Sequence, residues 1–120
     1  MGVVQKAQWM KHLEINVNGI KGHVEIYDPL PLVKLATFEE AVKDALKIDS
    51  RLATAKSHVA IIPALIECVA EWHLSGFPVE LTVDTFPGIG TGISKRDITE
   101  VINLITNEVL KFLKGDDPNA

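Results

Sequence analysis

The sequence predicts an α+β fold, an N-terminal β-hairpin packed on a small core of about three helices. Three observations lead there: strict apolar–polar alternation up to an Asn18-Gly19 pair, apolar residues at helical spacing in the middle of the chain, and a wide apolar stripe over residues 98 to 113. The 120 residues, 47% apolar and 23% charged, suit one domain with one core. That domain is expected to span residues 1 to 113. Residues 114 to 120, polar and helix-breaking, are expected to form a flexible tail.

In residues 12 to 27, Leu13, Ile15 and Val17 alternate with His12, Glu14 and Asn16. Asn18 and Gly19 both tolerate the positive φ of a type I′ turn, whose twist matches the flanking strands. A two-residue loop pairs Val17 with Ile20, Ile15 with Gly22 and Leu13 with Val24 on an apolar face. The other face pairs Asn16 with Lys21, Glu14 with His23 and His12 with Glu25. Asp28-Pro29-Leu30-Pro31 ends the second strand, because proline lacks an N–H.

Thr37 with Glu40 three residues on has capping-box spacing, so a helix is expected over residues 38 to 46 with Phe38, Ala41, Val42 and Ala45 inward. Residues 48 to 57 read as a connector with at most a helical turn. The main core helix is expected over 61 to 74, with Ile62, Leu65, Ile66, Val69 and Trp72 on its stripe and Pro63 in its first turn. Ser75-Gly76 would stop it. Val79, Leu81 and Val83 alternate as in a short strand, and residues 86 to 93 read as a loop. Ser94 and Asp97 then open the last helix, whose stripe is Ile98, Val101, Ile102, Ile105, Val109, Phe112 and Leu113.

Charge and composition narrow the function. Twelve basic against sixteen acidic side chains give a net charge of −4, which disfavours a nucleic-acid partner. The longest apolar run, residues 59 to 66, is too short to span a bilayer, and no export signal is visible, so a cytoplasmic protein is expected. The single cysteine, Cys68, fits a reducing compartment.

Four constellations have residue types that could carry chemistry. Gly88, Gly90 and Gly92 before a helix lack the spacing of a phosphate loop or a dinucleotide fingerprint. His12, Glu14, His23 and Glu25 share a strand face and offer zinc-type ligands, but solvated cross-strand pairs are the commoner outcome. Cys68, Glu71 and His73 stand close enough to suggest a thiolate with a base, but Cys68 and His73, five apart on the expected helix, point about 140° apart. Among the large aromatics, Trp72 and Phe86 suit the core, whereas Trp9 and Phe77 stand beside polar or turn residues. No catalytic residues, cofactor or metal are therefore expected, and the protein is not expected to be an enzyme. The last helix has more apolar surface than one small core can hide. Leu104 and Leu110, with Phe77, are the expected partner-binding residues.

Taken in order, Asp28-Pro29-Leu30, Thr37-Phe38-Glu39-Glu40-Ala41, the run from Ile66 through Glu71-Trp72-His73-Leu74 to Pro78, Leu81-Thr82 with Thr85-Phe86-Pro87, and Ile105-Thr106-Asn107-Glu108 form a pattern. It resembles the tail assembly chaperones of long-tailed bacteriophages (siphophages) and prophages, over residues 22 to 113. Glu71-Trp72-His73-Leu74 is similar to their Glu-Trp-Asn-Leu. The resemblance implies a factor in the cytoplasm of the bacterial host that coats the tape-measure protein and helps recruit major tail protein around it. The alternative it leaves is a small structural tail or connector protein of the virion that self-assembles as a homo-oligomer.

Overall fold

The structure, a computed structural model, describes residues 10–77, 81–82 and 94–113. Trp9, Phe86, most of the expected strand over 79 to 83, the glycine loop and the tail lie outside these residues. The α+β class is as expected: an antiparallel sheet of order β1-β2-β3, with helices on one face.

The hairpin forms in the expected register. Its strands are β1 (Met10–Val17) and β2 (Ile20–Tyr27), with Val17 opposite Ile20, Leu13 opposite Val24 and His12 opposite Glu25. Asn18 and Gly19 take φ of 45° and 96°, the two positive values the turn requires. The next helix, α1 (Leu32–Ile48), begins nearly two turns earlier than the Thr37 cap implies. Pro31 supplies the N-cap backbone, and Leu35 N–H donates to its carbonyl at 3.0 Å. Leu35 also extends the inward stripe of Phe38, Val42 and Ala45 by one turn, so the added residues have something to pack against.

The expected connector holds the start of α2 (Ala55–Cys68). Thr54 caps it, its Oγ1 accepting from Ser57 N–H at 3.3 Å while Ser57 Oγ–H donates to Thr54 O at 2.7 Å. Pro63 therefore sits inside the helix and not in its first turn. Its ring nitrogen leaves the carbonyl of Val59 without the usual helical donor, at a residue that is exposed.

The expected core helix ends at Cys68, and residues 69 to 74 are a strand, β3 (Val69–Leu74). Val69, Trp72 and Leu74 turn inward while Glu71 and His73 turn out. Pairing to the free edge of β2 decides the conformation: Gly22 stands opposite Leu74, His23 opposite His73 and Val24 opposite Trp72, with an irregularity at Glu25/Ile26. Ser75 completes the joint, donating its N–H to Lys21 O at 2.9 Å and accepting Lys21 N–H on Oγ at 2.9 Å.

The last helix, α3 (Lys95–Leu113), is as expected. Ser94 Oγ accepts from Asp97 N–H at 3.1 Å. Ile98, Val101, Ile102, Ile105 and Val109 are buried. Asn18 Nδ2 donates to Asp97 Oδ1 at 2.8 Å and Lys11 Nζ lies 2.6 Å from Glu108 Oε2, so α3 runs antiparallel along β1. One core, from Ile15, Val24 and Ile26 through Phe38, Ile61 and Leu65 to Ile102, joins sheet and helices.

Candidate functional site

Strand alternation sends His12 and Glu14, His23 and Glu25, and Glu71 and His73 to the face of the sheet away from the helices. The register stacks them in two rungs: Glu14, His23 and His73 in one, His12, Glu25 and Glu71 in the other. Like types therefore meet diagonally between β1 and β2 and directly between β2 and β3. The three imidazoles form a column, with ring centroids 4.5 Å apart for His12 and His23 and 4.7 Å for His23 and His73.

Each imidazole has a carboxylate neighbour. Nδ1 of His12 lies 2.5 Å from Glu25 Oε2 and its Nε2 lies 2.5 Å from Glu14 Oε2. These two hydrogen bonds, to Glu14 foremost and then Glu25, raise the His12 pKa above 6.5. His23 Nε2 is 3.5 Å from Glu25 Oε2, and His73 Nε2 is 2.8 Å from Glu71 Oε1. Two of the four residues of the expected cluster thus bracket His12, as the hairpin register required. His73 joins them only because residues 69 to 74 form a strand, which the helical reading concealed.

Cys68 is on the other side of the sheet, fully buried, and burial pushes its thiol up to about 11. It is an inert core thiol with no functional pairing to His73, the outcome expected on different geometry.

The apolar surface is distributed differently from the expectation. Phe77 is not part of an exposed patch: it is buried, its ring stacked parallel to Trp72 with centroids 6.4 Å apart. Leu110 is half-buried against the core, and only Leu104 of the three expected residues is exposed. An apolar groove lies between α1 and α2, which run antiparallel, Lys34 Nζ meeting Glu67 Oε1 at 3.4 Å. Thr37, Ala41, Ala60, Pro63 and Ala64 line an open groove, with Leu81 at its side, enclosing about 620 Å³. Val33 and Val59, one helical turn before Thr37 and Pro63, are 78% and 65% exposed. No helix among the described residues is long and apolar enough to cross a membrane. Comparisons of the chain with protein-family models, curated proteins and solved structures give no match.

Proposed function

We propose that the protein is a phage-type tail assembly chaperone that holds an amphipathic helix of the tape-measure protein. The groove between α1 and α2 carries this reading. Small side chains, Ala41, Ala60 and Ala64, make up part of its walls beside Ile66 and Leu81, so another helix can approach closely there, and Val33 and Val59 offer apolar contacts to a visiting stripe. The order of motifs from Asp28-Pro29 to Asn107-Glu108 supports the same reading through its resemblance to that family. A net charge of −4 would keep such a complex soluble.

The test is co-expression with a phage tape-measure protein. Capture by the wild type and loss in the Val33→Lys/Val59→Lys protein, with native circular dichroism, are the expected results. Both side chains are exposed, so the fold should tolerate the change. Equal capture by the variant would remove the groove from the interface. Many copies of the protein in purified virions, counted by mass spectrometry, would overturn the chaperone reading in favour of a structural tail component.

A further inference from the structure

We propose that the outward face of the sheet binds one Zn²⁺ ion through His12 Nδ1, His23 Nε2 and Glu25, leaving a fourth position for water. The ligand atoms of these three residues already lie within 4.8 Å of one another. Tetrahedral zinc, with bonds of about 2.0–2.1 Å, sets neighbouring ligands about 3.3 Å apart. The separations to Glu25 Oε2, 2.5 Å from His12 Nδ1 and 3.5 Å from His23 Nε2, bracket that value. The His12 and His23 rings, now tilted 30° to one another, would turn about their side-chain torsions to aim both nitrogens at the ion. Two imidazoles and one carboxylate are also a donor set that suits zinc.

The surroundings are arranged as metal sites require. Were Nδ1 of His12 to take the metal in place of its proton, its Nε2–H would still donate to Glu14, which orients the ring and raises its basicity. His23 is held in a column between two other rings, and β3 supplies the outer one, His73. His73 itself is turned to Glu71 and is not a ligand. The three ligands come from two strands whose register a tight turn defines, so the site is built on rigid elements.

The experiment uses untagged protein, Zn²⁺ and a competing chromogenic chelator. One ion per chain is expected. His12→Gln, His23→Gln and Glu25→Gln should each weaken binding at least about tenfold, and Glu14→Gln by about tenfold or more. His73→Gln should bind as the wild type does. Because all these side chains line the outer sheet face, circular dichroism should stay native. Co²⁺ gives a second readout on the unmodified protein: visible bands of a four-coordinate ion without thiolate charge transfer. Absence of stoichiometric zinc, wild-type binding in the three ligand variants, equal loss in His73→Gln, or a thiolate band from Cys68 would each overturn the assignment.

Discussion

Gly22 shows how one residue decides whether β3 can dock. Its φ is +143°, and a β-carbon there would overlap the carbonyl oxygen of His73 and come within 2.9 Å of the carbonyl carbon. Gly22→Ala must therefore part β2 from β3 or strain both. A loss of at least about 2 kcal/mol in urea unfolding is expected, and an unchanged midpoint would contradict the pairing. Thr106 is the opposite case, a buried hydroxyl that has no hydrogen-bond partner among the described residues. Thr106→Val keeps the shape and removes the desolvated oxygen, so a gain of up to about 1 kcal/mol is expected in the same measurement. Glu108 adds a pH dependence. The Lys11 ammonium beside it holds its carboxyl below the ordinary 4.5. The unfolded chain thus binds the proton more readily, and the contribution is complete above pH 4.5 and lost as pH falls through the depressed folded value. Glu108→Gln should flatten that acid limb of the stability curve; an unaltered slope would show that the pair is not formed in solution.

Elements were legible to the extent that their determinants are local. The hairpin register follows from alternation and Asn18-Gly19 alone, and α3 from its stripe and the Ser94–Asp97 cap. Residues 69 to 74 were not legible. Val69 and Trp72 continue the helical spacing of Ile62 and Leu65, while the evidence for a strand, the free edge of β2, lies some fifty residues upstream. No turn separates α2 from β3, since Val69 N–H still donates to Ile66 O as the helix gives way. The punctuation at Ser75-Gly76 falls after the strand. The third histidine of the outer face was hidden by the same error. At α1, the Thr37 signal was real as spacing but was overridden by packing of Leu35. The corrected phase of α2 makes a measurable distinction: Leu65 is fully buried, whereas Ile66 is half-buried at the groove. Leu65→Ala should cost about 2–5 kcal/mol by cavity formation, and Ile66→Ala clearly less. The reverse order would show that the helix is rotated.

At the scale of the whole molecule, the two candidate surfaces belong to opposite layers. The histidine–glutamate rungs face outward from the sheet, whereas the groove is cut into the helical layer that covers the sheet's inner face. Between them lies the core of Val24, Trp72, Phe38 and Leu65, close-packed and apolar. A close-packed core can transmit strain, so coupling between the surfaces is conceivable only if zinc or a docked helix changes the packing between sheet and helices. Neither needs to. The zinc ligands move by side-chain rotation on strands fixed by the β1–β2 ladder, and the groove is already open between α1 and α2. Binding at the two sites should therefore be additive. If both proposals hold, His23→Gln or added chelator should leave capture of the proposed tape-measure partner unchanged within about twofold, and Val33→Lys/Val59→Lys should leave zinc affinity unchanged to the same degree. The measurement is a pair of titrations, zinc with and without the partner and partner with and without zinc. A shift of tenfold in one must appear in the other, because linkage is reciprocal, and would show that the core carries a two-state rearrangement between sheet and helices.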